Sequence, residues 1–112
     1  MDKLELYRQA VQQVLTKYGS YKPINVQVDV QTIFDTERDH YQVVSVGWHN
    51  ERRIHSCSMH IDIKPDGKVW IQLNNTEAHL ADELMELGVN RDDIVLGFHS
   101  PYMRQFTDFA VG

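Results

Sequence analysis

A chain of 112 residues with 42% hydrophobic and 24% charged residues has room for one packed domain, read here over residues 1–112, and not for two. Its formal charge of −5, with 11 basic residues that form no extended run, argues against a general nucleic-acid binder, which needs a Lys/Arg-rich face to displace counterions from phosphate, and leaves only a local basic patch made by folding. A lone cysteine, Cys57, excludes an internal disulfide, and with no long apolar stretch and no signal-type start in MDKLELYRQ the expected location is cytoplasmic.

Leu4, Tyr7, Val11, Val14, Leu15 and Tyr18 recur at three- and four-residue spacing. This predicts an N-terminal amphipathic helix capped by Asp2, with Arg8, Gln12 and Gln13 on its polar face and Gly19 as a left-handed stop. The period then changes to two. In INVQVDVQTIF, Ile24, Val26, Val28, Val30 and Phe34 alternate with Asn25, Gln27, Asp29 and Gln31, predicting a half-buried strand. DTERDH is a polar turn. In YQVVSVGWH, Val44, Val46 and Trp48 define the inward set of a second strand, leaving Tyr41, Val43, Ser45 and Gly47 outward. A third strand, RIHSCSMHIDI, points Cys57, Met59, Ile61 and Ile63 inward, with Cys57 as a small buried hydrophobe; a fourth, KVWIQL, points Val69, Ile71 and Leu73 inward. Short turns make these four strands an antiparallel meander with one buried face. A second helix is predicted from about Thr76, with Asn74 and Glu77 at capping-box spacing, ending at Gly88. IVLGF is a short apolar run, a further strand or a buried extended piece. Ser100–Pro101 opens a short final helix carrying Tyr102, Phe106 and Phe109. The fold class is therefore α+β: helix, four-stranded antiparallel meander, second helix and a short C-terminal apolar unit.

The stretch HIDIKPDG, His60–Gly67, contains an acid and a lysine two apart, Asp62 and Lys64, as a metal-dependent nuclease would place them. Keeping the apolar residues on one face pairs Ile63 with Val69 and Ile61 with Ile71, which leaves Pro65, Asp66 and Gly67 as a three-residue loop. That register places Asp62 opposite Trp70 and His60 opposite Gln72, facing outward. A nuclease needs a second carboxylate beside Asp62, and the next candidate, Asp29, falls two strands away, roughly 9–10 Å at about 4.8 Å per strand. The stretch reads as a hairpin, and the nuclease built on Asp62 and Lys64 is the alternative. His55 and His60 have opposite parity on one strand, so they share no metal. His79 and Glu83 read as an exposed helical pair, and Asp39 and His40 as a solvated turn, with polar ligand contacts as the alternative. HExxH, CxxC, GxSxG and glycine-rich phosphate loops are absent from the sequence. No catalytic, cofactor-binding or metal-ligating residue is assigned, and no cofactor is expected.

Three stretches, IFDTERDHYQVVSVGW, HIDIKPDGKVWIQ and ADELMELGVNRDDIVLGFHSPYMRQFTDFAVG, resemble the XisI family, the fdxN element excision controlling factors of cyanobacteria. The resemblance runs from about Leu4 to Gly112. It implies an accessory role in the excision, during heterocyst development, of a DNA element by a site-specific recombinase, alongside an XisH-like protein. It carries no catalytic motif to transfer.

The resulting expectation is a non-enzymatic controlling factor that works through protein contacts with an XisH-like partner and a recombinase, and meets DNA indirectly. Direct DNA binding that guides the recombinase is a further alternative. Trp70 with His99, Tyr102 and Arg104 is the expected contact surface, because aromatic and arginine residues dominate interface energetics. Tyr102 and Arg104 diverge on a helix, and Arg104 is the expected contact, Tyr102 the expected core residue. The outward set Ile33, Tyr41, Val43 and Trp70 requires a cover, either the C-terminal segment or a second copy in a homodimer.

Overall fold

The computed structural model describes residues 2–24 and 27–112. Asn25 and Val26, read above as the start of the first strand, lie outside the described residues. The elements are helix α1 (Lys3–Gly19), strands β1 (Gln27–Asp35), β2 (His40–His49), β3 (Arg52–Ile63) and β4 (Val69–Asn74), helix α2 (Leu80–Glu86), strand β5 (Ile94–Leu96) and a single helical turn α3 (Pro101–Arg104). The strands form one sheet in the order β1-β2-β3-β4-β5. The first four pair antiparallel and β5 adds parallel to β4. The expected four-stranded meander is thus a five-stranded mixed sheet. The reason is the crossover through α2, which returns the chain in β4's direction and delivers IVL to the free edge of β4.

Both long helices bury their stripes on one face of this sheet. Tyr7, Val11, Val14 and Leu15 of α1 and Leu80 and Leu84 of α2 join Tyr41, Val43, Met59, Ile61, Ile63, Val69 and Ile71 in one core. Asp2 caps α1 as expected, accepting from the Glu5 amide at 2.8 Å. Gly19 is not a left-handed stop. A Cβ there would lie 2.2 Å from Thr32 Cγ2, so the glycine serves the close approach of α1 to β1. Helix α2 begins later than expected because Asn74 folds the preceding residues into a side-chain-closed turn, accepting from the Thr76 amide at 3.0 Å and donating to Ala78 O at 2.7 Å. It ends at Gly88 as read, with the Val89 amide bonded to Leu84 O at 3.0 Å.

The inward set of β2 is reversed from the expected one along the strand. Tyr41 and Val43 are fully buried, whereas Trp48 is 48% exposed. A β-bulge on β3 accompanies this: Val43 pairs with Met59 but Val44 pairs with Cys57, which leaves Ser58 as the extra residue and flips the facing of β3 beyond it. Beyond that bulge Val44, Val46 and Cys57 lie on the outer face, so the half-buried Cys57 is not an inward residue. Burial pushes its thiol up. A second bulge, between His60 and Ile61, leaves Gln72 extra, so His60 pairs with Leu73 rather than with Gln72 and Leu73 leaves the inward set. Ile24, also read as inward, precedes β1 and is 82% exposed.

The β3–β4 turn is as expected. Ile63 pairs with Val69, Asp62 with Trp70 and Ile61 with Ile71. The Gly67 amide donates to Lys64 O at 2.8 Å, and Gly67 takes φ 87°. A Cβ at Gly67 meets no atom within 4 Å, so substitution there tests backbone strain alone. Gly67→Val is expected to cost on the order of 1–3 kcal/mol in urea denaturation; a loss under about 0.5 kcal/mol would mean that the turn differs in solution.

Candidate functional site

The C-terminal segment closes over the outer face of β4. Trp70 lies opposite both Asp62 and Val95. Lys64 Nζ sits 4.1 Å from its ring centroid and the Arg104 guanidinium 4.9 Å. Arg104 also donates from Nε to His99 O at 3.1 Å and from Nη1 to Val111 O at 3.0 Å, while Lys68 Nζ donates to Gly112 O at 3.0 Å. Arg104 therefore clasps the end of the chain onto Trp70. Of the two covers open to Trp70, the C-terminal segment supplies one.

Tyr102, expected in the core, is on the surface, and Arg104, expected as a partner contact, packs within the chain. Tyr102 is 67% exposed and stacks edge-on against Phe106, itself 66% exposed, at a centroid distance of 5.3 Å. Phe98 and Met103 are each 48% exposed. The His99 ring lies 4.6 Å from that of Phe98. The reversal follows from the shortness of α3, which ends at Arg104. Phe109 alone of the three aromatics read as docking residues then packs against the core, and Tyr102 and Phe106 are left outside. Beside Phe98 an apolar groove runs between α2 and β5, lined by Ile71, Leu80, Leu96 and Phe109.

A second constellation lies on the outer face at the other end of Asp62. His40 opens β2 directly opposite Asp62, and His60 stands two residues before Asp62 on β3. His40 Nδ1 and His60 Nε2 each lie 2.8 Å from Asp62 Oδ1, and Gln72 Nε2 donates to Oδ2 at 3.2 Å. Burial raises the Asp62 carboxyl, but hydrogen bonds from His40, His60 and Gln72 outweigh it and the net shift is downward. The carboxylate is thus held ionised between two imidazoles. His40 was read as part of a solvated turn. The turn is shorter, with Asp35 paired to His40, and this brings the imidazole into the sheet.

Other polar residues resolve into structural roles. Asp39 is 8% exposed, not solvated. It accepts from Arg8 Nε at 2.8 Å and Nη2 at 3.0 Å, and from the Tyr41 hydroxyl at 2.8 Å. Glu83 pairs with Lys17 at 2.7 Å and with the Tyr18 hydroxyl rather than with His79. The Ser58 bulge turns His55 to the same outer face as His60, but five positions along β3, and it pairs with Val46. Asp29 also pairs with Val46, far from Asp62 along the sheet. Among the described residues no second carboxylate joins Asp62 in a potential metal-holding group, whose members are His40, His60 and Asp62. Among those residues, too, no helix is long and apolar enough to cross a membrane.

The family model described as XisI protein matches residues 1–111. The chain belongs to the XisI family. Among solved structures it is similar to an XisI-like protein from Anabaena variabilis ATCC 29413, at 49% identity over 97% of this chain and 99% of that one, with a TM-score of 0.90. It is also similar to the fdxN element excision controlling factor XisI from the same organism, at 33% identity, covering 99% of this chain and 100% of that one, with a TM-score of 0.86. No match was found among curated proteins. The helices and mixed sheet described above are thus the XisI fold, and both the Trp70 clasp and the His40–Asp62–His60 group are built on it.

Proposed function

We propose that this XisI-family chain is a non-enzymatic accessory factor in the control of DNA-element excision, acting through protein contacts with an XisH-like partner and, through it, on a recombinase. The observation that carries this reading is the exposed Tyr102–Phe106 aromatic pair, with Phe98 and Met103 also exposed in the same C-terminal segment. Tyr102 and Phe106 each leave about two thirds of their area in water. Amphipathic aromatic rings of this kind supply the energetic centre of protein interfaces at low conformational cost. The name of one relative, the fdxN element excision controlling factor XisI, supports excision as the process. The net charge of −5 supports contact with protein rather than unaided contact with DNA. Trp70 and Arg104 serve this surface from behind, by fixing the segment that presents it.

The test is capture of an XisH-like protein by the purified chain. Tyr102→Ser combined with Phe106→Ser is expected to weaken capture at least tenfold, about 1.4 kcal/mol, with thermal unfolding nearly unchanged because both rings are mostly exposed. Capture at wild-type strength would overturn the assignment of the surface. DNA cleavage by the purified chain alone would overturn the non-enzymatic role.

A further inference from the structure

We infer that His40, His60 and Asp62 form a binding site for a zinc-type divalent transition-metal ion on the outer face of the sheet, with Gln72 positioning the carboxylate. This goes beyond the proposed excision role and stands independently of it. Two imidazole nitrogens and one carboxylate oxygen converge so that all three potential ligand atoms lie within 4.8 Å of one another. A tetrahedral ion with ligand bonds of about 2.0–2.2 Å separates its ligands by about 3.3–3.6 Å. The nitrogens now stand 2.8 Å from the shared carboxylate oxygen, so outward side-chain movement of well under 1 Å per ligand admits an ion. Such movement is available because the His40 side chain is 57% exposed.

Three features mark the group as built rather than incidental. His40 and Asp62 are direct cross-strand partners, and His60 shares their face two residues along, so a rigid sheet sets the spacing. The bulge at His60/Ile61 makes Gln72 the extra residue of β4 and aims its amide at the second carboxylate oxygen, 3.2 Å away. Bulges re-aim side chains in this way beside functional sites, and a hydrogen-bonded ligating carboxylate is the usual outer-shell arrangement of metal centres. Gln72 is held there in turn by Gly97. A Cβ on Gly97 would stand 2.5 Å from Gln72 Oε1 and 3.0 Å from Trp70 Cε3, so the absence of a side chain is what lets both fit.

The donor set chooses the class of ion. Two imidazoles with one carboxylate suit zinc and its transition-metal neighbours, whereas magnesium and calcium take oxygen-rich sets. Three protein ligands leave a fourth position open toward solvent, on the exposed side of His40, where water or a side chain of another molecule completes the shell.

The experiment is calorimetric titration of the full chain with zinc chloride, paralleled by the visible absorption of bound cobalt(II). One ion per chain is expected. His40→Ala and His60→Ala should each weaken binding by at least the roughly 10–100-fold that loss of an outer-shell partner costs, and Gln72→Leu by about tenfold with the stoichiometry kept. His55→Ala, on the same face but outside the group, should leave the affinity unchanged. Circular dichroism checks that each variant is folded. Absence of stoichiometric binding would overturn the site and leave a hydrogen-bonded His–Asp–His group. Binding that survives in both His40→Ala and His60→Ala would overturn it equally, by assigning the ion to other histidines.

Discussion

Ile61→Ala is expected to lower folding stability by about 3–4 kcal/mol, enough to move the midpoint of thermal unfolding by more than about 10 °C in a domain of this size. Ile61 is fully buried at the centre of the sheet, between Tyr41 of β2 and Ile71 of β4, both themselves buried, and beneath the helices. Truncation removes three carbon atoms from a position held on both sides by paired backbone. The strands cannot close on the gap without breaking register, so the cavity term adds to the transfer term. Single domains hold a total of about 5–15 kcal/mol, so this one change would consume a large share of it. Urea denaturation of the two proteins measures the difference. A loss below about 1.5 kcal/mol would mean that the centre of the sheet relaxes around the cavity, against the packing described here.

Asp39→Ala is expected to cost about 2–4 kcal/mol. The carboxylate is buried in the β1–β2 turn and holds the bidentate Arg8 guanidinium of α1 and the hydroxyl of the fully buried Tyr41, while the main-chain carbonyl of the same residue accepts from the Ile63 amide at 3.0 Å and stays in the variant. Removing the carboxylate leaves the buried Tyr41 hydroxyl without its acceptor, the larger cost, and the partly exposed guanidinium without its counter-charge, a cost that solvent reduces. Asp39 also takes φ 62°, a conformation that Asp and Asn tolerate better than Ala. Asp39→Asn therefore separates the charge from the backbone, and a smaller loss than for Ala is expected.

The same pair fixes a pH dependence. Hydrogen bonding from Arg8 is the largest cause that holds the Asp39 carboxyl below its usual range, with burial opposing it. The native value lies below the unfolded one. Its stabilisation is therefore complete above the ordinary carboxyl value of about 4 and is lost as the pH falls through the depressed native value. Stability curves of wild type and Asp39→Asn should begin to draw together as the pH falls below about 4 and meet below the depressed native value. Parallel curves down to the acid limit would show that the ion pair does not form.

The sequence by itself determined the elements whose physics is local. The stripe from Leu4 to Tyr18 can bury one face as a helix and in no other way, and Asp2 caps it with its own side chain. The Lys64–Gly67 turn was legible because Pro65 and Gly67 demand particular dihedrals, and the register Ile63–Val69 and Ile61–Ile71 followed from keeping four apolar residues on one face. The three stretches at 33–48, 60–72 and 81–112 carried the family resemblance.

Tertiary structure alone decided which face each outer residue took. The adjacent valines Val43 and Val44 put apolar residues on both faces of β2, and either can be inward until the neighbouring strands pair with it. The apolar pattern of β2 fits either parity, so Tyr41 is read from it as surface although it is core, and alternation within β3 contains no information about the extra residue at Ser58, so Cys57 is read as inward although it lies outside. The His40–Asp62–His60 group has the same origin: His40 stands twenty residues before His60, and the turn length and the β2–β3 register bring it opposite Asp62, while the bulge on β4 adds Gln72. The surface place of Tyr102 and the packing of Arg104 within the chain depend on the length of α3 and on the carbonyls that the chain end offers to the guanidinium. Those partners come from His99 and Val111, and their convergence on Trp70 exists only once the sheet places Trp70 beneath them.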